Sequence, residues 1–448
     1  MVESKLLAPL FSDPEVAEQL SDVQFISYML QVEAALARVQ ETLGIIPHGT
    51  AQQLADGISN FLLDMDRLQT AIDADGIPTV DLIMQLREQV GGEAASYVHW
   101  GATSQDIMDT ALVLQLRSAL TLLEHRLNTL IGNLARLADA HRATLMAGRT
   151  HGQHALPLTF GLKVAGWLAP LLRHRERLDQ LKPRLLVVQF GGAVGTIASL
   201  GDQGMAVQEA LAQELGLGVP LMPWHSQRDT LAEFAGWLSL VSGSLAKMAQ
   251  DIILLAQSEV AEVRESGDSS RGSSSTMPQK RNPVISQAIL AAAHTNAALL
   301  SSMHGALVHE HERATSAWQV EWLTLPQMVI LTAAVLNKAL FLSENLVVDA
   351  DRMQANLAGS NGLLMAEAID LALSPIIGRT EAKQIIRAAV PVAVEQNRHL
   401  VDVVRERVRE RVDADIDWER LLSEANYLGS SDAFINRVLQ QAESSEHD

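Results

Sequence analysis

Between Asp22 and Leu43 apolar residues recur at three- and four-residue intervals, at Phe25, Met29, Val32, Leu36, Val39 and Leu43, and the run stops at Gly44. That spacing lays them along one face of a helix, which the glycine ends. The clearest period comes later. Leu116, Leu120, Leu123, Leu127, Leu130, Leu134 and Leu137 alternate four- and three-residue steps. This is the seam of a long bundle helix, predicted from near Ile107 to near His141. Further helices are predicted from about Thr159 with a kink at Pro170, from Thr230 to Arg264, from Pro283 onward, and from Trp318 to Leu342 with a break or a start near Pro326. Leu185 to Gly195, apolar and then glycine-rich, is the one strand-like stretch. Val404, Val408 and Val412 mark one face of an amphipathic helix whose other faces carry Arg405, Glu406, Arg407, Arg409, Glu410 and Arg411. The pattern predicts an all-α chain with an N-terminal helical domain (1–106), a central long-helix bundle (107–358) and a C-terminal helical domain (359–448).

Three polar loops interrupt this pattern, at 99–106, 148–157 and 264–283, and loops at the ends of long helices can converge although far apart in sequence. The third combines Gly, Ser and basic residues most densely. At its end Asn282 suits an N-cap and Pro283 a first helical position, so the loop empties into a helix N-terminus. With Lys280 and Arg281 beside that end, and a row of serines before it, the local chemistry suits a bound anion. A solvated Gly/Ser linker is the alternative. The spacing fits neither a phosphate-binding Gly-x-x-x-x-Gly-Lys-Ser/Thr loop nor a Gly-x-Ser-x-Gly elbow.

Composition narrows the classes. The 448 residues carry 34 Lys+Arg against 53 Asp+Glu, a formal net charge of -19, so neither nucleic acid nor an anionic membrane is an expected partner. The same acidity makes a local basic cluster more informative. Cysteine is absent, which excludes disulfides, zinc thiolate sites, iron–sulfur clusters and cysteine nucleophiles, and a reducing cytoplasm fits. The first ten residues lack a sustained apolar stretch, so no secretory leader is expected. Val284 to Val308 has no Lys, Arg, Asp or Glu, but Ser286, Gln287, His294, Thr295, Asn296 and His304 make it a helix buried among others, within the chain or across subunits, rather than a membrane span.

Pooled, the loops offer His99, Thr103, Ser104, Gln105, Thr150, His151, Gln153, His154, Ser274, Ser275, Lys280 and Asn282, and no Asp/Glu cluster apart from Asp106 and Asp268. A donor-rich, cationic set suits a polycarboxylate. Proton transfer at carbon beside a carboxylate creates an enediolate, and fixed donors stabilise it most when its charge is greatest. The proton carrier could be a histidine, such as His151, or a serine activated near Ser274 by loop N–H groups and Lys280. Metal binding is not favoured: His151 and His154 sit in a Gly/Pro-bearing turn, and His309 and His311 would face different sides of a helix.

Ser274-Ser-Thr-Met-Pro-Gln-Lys-Arg-Asn-Pro283 resembles the signature of the fumarase/aspartase superfamily, and Gly148-Arg-Thr-His-Gly-Gln-His-Ala-Leu-Pro157 and Gly101-Ala-Thr-Ser-Gln-Asp106 resemble its other two motifs, in the same order. The segments 99–110, 223–229, 310–322 and 425–429 look most like its lactonising branch. The resemblance implies an all-α homotetramer whose central long helices form a multi-helix core, with active sites shared between subunits and no metal or organic cofactor. It implies an intramolecular lyase that closes 3-carboxy-cis,cis-muconate to a lactone. A fumarate-releasing lyase acting on a succinyl adduct such as adenylosuccinate is the alternative. It also implies roles: Ser274 as proton donor or acceptor at carbon, with Ser275 its competitor; Lys280 and Asn282 holding a carboxylate and its developing charge; His151 assisting proton transfer. His99, Thr103, Ser104, Thr150, Gln153 and Arg313 complete the substrate-binding set. This chain departs at Ser273, where a Gly is common, and at Ala314 and Trp322, where nucleotide-cleaving relatives carry an acid and an Arg.

Overall fold

The computed structural model describes residues 4–265, 272–273, 276–277, 279–314, 316–412 and 416–443, so Asp268, Ser274 and Ser275 lie outside the described residues. Two short helices, α1 (Ala8–Phe11) and α2 (Pro14–Gln19), lead into α3 (Asp22–Thr42), which Ser21 caps by accepting from Gln24 N. Met29, Val32, Leu36 and Val39 of its expected stripe are buried. Helices α4 (Thr50–Ser59), α5 (Met65–Asp75) and α6 (Thr79–Val90) follow, and then the long α7 (Ser104–Ala140). Six leucines of the α7 seam, from Leu116 to Leu134, are 2% exposed or less, as the heptad spacing requires.

Beyond α7 the chain departs from expectation. The polar tract 148–157 is a β-hairpin, β1 (Leu145–Thr150) paired antiparallel with β2 (Gln153–Thr159), and α8 (Phe160–Leu185) starts where the hairpin ends. The stretch from Leu185 to Gly195 forms no strand; Val187 makes one isolated bridge to Gly218. Side chains take its backbone groups instead: Thr110 binds Gln189, Gln208 binds the Phe190 carbonyl, and Asp106 binds Gly191 and Gly192. After α9 (Gly204–Leu215), α10 (Asp229–Leu255) ends earlier than its apolar pattern suggests, and β3 (Val263–Glu265) follows. There the Glu262 carboxylate is buried against Arg149, which a continuing helix would not place. Two more long helices are α11 (Val284–Gly305) and α12 (Ala317–Asn345), and α12 runs unbroken through Pro326. Burial of Leu325, Met328 and Val329 on either side offsets the proline penalty of about 3 kcal/mol. Strand β4 (Leu346–Val348) pairs antiparallel with β3. The C-terminal part holds α13 (Ala350–Ala358), α14 (Ala366–Ile377), α15 (Arg379–Glu395), α16 (Leu400–Val412), α17 (Trp418–Leu421) and α18 (Ser431–Glu443). Val404, Val408 and Val412 bury the expected face of α16.

The fold is all-α apart from the two small sheets. The described residues divide into two compact units: 1–127, 174–243 and 291–337 make the first, and 128–173, 244–290 and 338–448 the second. The first has a continuous core in which Met29, Leu36, Leu86, Ile107, Phe190 and Leu211 pack together. By length and hydropathy α10, α11 and α12 could each cross a membrane. Inside the first unit, however, they share a buried polar contact: the Asn296 amide nitrogen donates to Ser242 Oγ at 2.8 Å and Thr332 Oγ1 at 2.9 Å. The second unit has a C-terminal core that includes Met365, Ile369, Leu400, Val404 and Trp418.

Candidate active site

His99, Thr103, Ser104 and Arg313 belong to the first unit. Thr103 precedes the first residue of α7, and Asp106, three residues on, accepts from Thr103 N at 3.0 Å, one arm of a capping box. Thr103 Oγ1 accepts from Arg313 Nη1 at 3.0 Å. Arg313 also donates to the carbonyls of Ala193 at 2.9 Å and Gly192 at 3.4 Å. The hydroxyl of Ser104 has no partner among the described residues. His99 has a positive φ of 64°, and its ring Nδ1 lies 2.6 Å from Glu33 Oε1 while its backbone N–H donates to Glu33 Oε2 at 3.0 Å. Burial alone would lower the imidazole pKa. The charge and hydrogen bond of Glu33, with Asp106 nearby, outweigh burial and the opposing Arg87 and hold it above the ordinary histidine value.

Below these residues lies a buried ionic cluster. Arg228 makes a bidentate pair with Asp109, at 2.6 and 3.0 Å, and a second with Glu321, all three side chains being 2% exposed or less. Burial works against the Arg228 charge, but the two carboxylates keep the guanidinium firmly protonated. Trp318 Nε1 donates to Asp109 at 3.2 Å, and the Arg228 guanidinium stacks 4.7 Å from the Trp224 ring. His309 is buried beside Glu321, at 3.8 Å, whereas His311 is exposed, so these two histidines do not share a site. Trp322 stands edge-on to Trp318 and helps line an apolar cavity of about 350 Å³ with Phe25, Met65 and Met108, which none of the predicted site residues lines.

Thr150, His151, Gln153, Lys280 and Asn282 belong to the second unit. His151 and Gly152 form the two-residue turn of the hairpin, with φ of 52° and 76°. Two positive angles in succession define a type I′ turn, which favours Asn or Gly where this chain has His. Thr150, His151, Gln153 and His154 are all exposed at this tip. Partial desolvation, then the nearby Arg149, lowers the His154 pKa although the residue is largely exposed. Arg149 itself turns inward to Glu262, at 2.6 and 2.9 Å, and Asn356 donates to the same carboxylate at 2.9 Å.

The loop before α11 is pinned at its base, where Asn282 N donates to the Gly272 carbonyl at 2.8 Å and Ser273 bridges to Arg281. Lys280 is exposed and pairs with no carboxylate among the described residues. One expectation needs correction. The N-terminus of α11 does not stand open for a ligand, because Glu265 accepts from Ile285 N at 3.0 Å, Ser286 N at 2.8 Å and Ser286 Oγ at 2.7 Å. The helix end holds an anion, but one supplied by the chain. The motifs contain Asp106 and the segment 223–229 without assigning either a role, and no local pattern marks Glu33 or Glu265. For Asp106 the signal was present, as the capping-box spacing from Thr103.

Comparison with known proteins extends the picture. Residues 12–295 match the family described as Lyase, and residues 362–438 match the Adenylosuccinate lyase C-terminus. The chain is 46% identical over 425 residues, 94% of its length and 93% of the relative's, to the 3-carboxy-cis,cis-muconate cycloisomerase of Pseudomonas aeruginosa. It superposes on the crystal structure of the 3-carboxy-cis,cis-muconate lactonizing enzyme from Pseudomonas putida with a TM-score of 0.92 at 41% identity, covering 98% and 99% of the two chains. For the fumarate lyase from Mesorhizobium sp. BNC1 the TM-score is 0.89 at 43% identity, covering 96% and 98%.

Proposed function

Since the chain belongs to the lyase family within the fumarase/aspartase superfamily, we propose that it is an intramolecular lyase that cyclises 3-carboxy-cis,cis-muconate to 4-carboxymuconolactone. The observation that carries the reading is how the loops sort their charges. Among the described residues the carboxylates in and beside them are occupied: Asp106 by backbone N–H groups and His225, Glu262 by Arg149 and Asn356, Glu265 by the α11 N-terminus. The side chains left without partners among the described residues are donors, namely Ser104, Thr150, His151, Gln153 and Lys280. A chain with net charge -19 that turns its acids inward and its donors outward at these loops suits a polycarboxylate.

In the proposed reaction one substrate carboxylate oxygen adds to an alkene carbon, forming the C–O bond as the C=C pair moves to the neighbouring carbon. The charge spreads into the adjoining carboxylate as an enediolate, which a proton on that carbon then discharges. Lys280 and Asn282 hold the carboxylate that takes up the charge; Thr103, Ser104, Thr150, Gln153, His99 and Arg313 place the others. Ser274, or its neighbour Ser275, carries the proton, with His151 assisting. The atoms of substrate and product balance without a co-reactant.

The same reading groups four chains into a tetramer with shared sites. Only 39% of the most apolar window of α11 is buried within one chain, which supports a partner across it. It divides the chain into three helical domains at 106/107 and 358/359, and puts the enzyme in the cytoplasm, in the catabolism of protocatechuate. Purified protein is expected to abolish the ultraviolet absorbance of the carboxymuconate diene and to leave adenylosuccinate intact. Turnover of adenylosuccinate instead would move the activity to the fumarate-releasing branch, and turnover of neither would overturn both.

A further inference from the structure

Asp106 is fully buried, and its two oxygens receive four donors. Oδ2 accepts from Thr103 N at 3.0 Å and Gly192 N at 2.9 Å; Oδ1 accepts from Gly191 N at 2.9 Å and lies 2.7 Å from His225 Nε2. The segment around His225 is itself fixed. Gln105 Nε2 donates to the His225 carbonyl at 2.9 Å, and Trp224 donates through N to Gln189 Oε1 and through Nε1 to the Val188 carbonyl, both at 3.0 Å. Gly191 packs so tightly here that a Cβ would lie 2.7 Å from Pro223 and 2.8 Å from His225. Asp106 therefore joins the start of α7 to the 188–193 segment through a buried, charge-assisted network.

The groups that receive Arg313 are those this network sets. Its guanidinium donates to Thr103 Oγ1, the Gly192 carbonyl and the Ala193 carbonyl. Thr103 and Gly192 each give their own N–H to Asp106, and Ala193 is the next residue. We infer that Asp106, seated by His225, is a positioning residue that orients the Arg313 guanidinium for a substrate carboxylate. The inference rests on the polycarboxylate reading above. A shift of about 1 Å in such a group is enough to cost about 100-fold in rate.

The test combines Asp106→Asn, Arg313→Ala and the double variant, assayed with carboxymuconate. Asp106→Asn is expected to lower kcat/KM by about 100-fold, chiefly through KM. It should add little to the loss in Arg313→Ala, because the two act as one unit. Losses that multiply in the double variant overturn the inference. Should Asp106→Asn fail to fold, His225→Gln and His225→Leu read the same network. Gln can still donate to Asp106 and should stay close to wild type, whereas Leu should lose about tenfold; equal losses overturn the inference. Hydrogen exchange reads it without reference to turnover. Faster exchange in 99–106 and 188–195 is expected in His225→Leu, and unchanged exchange overturns the inference whatever the substrate. A wild-type enzyme inert toward carboxymuconate overturns the functional reading alone and leaves the exchange experiment to decide the network.

Discussion

The two units present their functional residues in opposite ways. In the first, Thr103 and Arg313 stand on a buried polar frame in which Asp106, Asp109, Arg228 and Glu321 are each 2% exposed or less. In the second, Thr150, His151 and Gln153 sit at the exposed tip of a two-stranded hairpin, and Lys280 lies exposed on a loop pinned at its base. Burial makes the first arrangement rigid and costly to disturb, since each partner removed leaves a desolvated charge behind. Exposure makes the second inexpensive in folding terms, so substitutions there should register in chemistry alone. Substitutions in the buried frame of the first unit should therefore cost stability as well as activity, and those at the exposed residues of the second should cost activity without stability.

The sharpest test is Arg228→Leu. It leaves Asp109 and Glu321 buried without their common partner, and about 3–5 kcal/mol of unfolding free energy should be lost. Chemical denaturation of the full chain measures this. A midpoint close to wild type would mean that the cluster does not hold the first unit together. The matching change in the second unit is Lys280→Met. Its ammonium is exposed and unpaired among the described residues, so the denaturation midpoint should hold while kcat falls by about 100- to 1000-fold. Unfolding that tracked the loss of activity would erase the contrast between the units.

The parts of this contrast that were legible in the sequence are those with a local signature. The leucine period of α7 and the valine face of α16 announce themselves within a few turns, and three short motifs locate the loops. The frame itself depends on partners far apart in the chain. Arg228 meets Asp109 across 119 positions and Glu321 across 93, and Glu265 reaches Ile285 across 20. No period records such pairs. The hairpin at 145–159 was hidden for another reason: the polar, Gly- and Pro-bearing tract at its centre interrupts the alternation that marks a strand. The opposite holds at Leu185 to Gly195, where β-forming residues are present but Thr110, Asp106 and Gln208 occupy the backbone groups that a neighbouring strand would need.

The smallest expected effect lies where the frame meets the loop, at His99. Glu33 raises its pKa in the folded protein despite burial, with Asp106 adding to the pull and Arg87 opposing it. A histidine whose folded pKa exceeds its unfolded value contributes stability that is fully present below the unfolded value, about 6.5, and is lost as pH rises through the folded one. The unfolding free energy of the wild type relative to Glu33→Gln, where the carboxylate charge is gone but a hydrogen-bond acceptor remains, should therefore decline across that window; taking the difference cancels His141, His154 and His309, whose pKa values burial lowers and whose linkage has the opposite sign. If the difference does not change with pH, His99 is held by packing alone. If it shrinks as pH rises, the first unit carries its loop on a charged pair. Lowering the pH should then tighten the frame under Thr103.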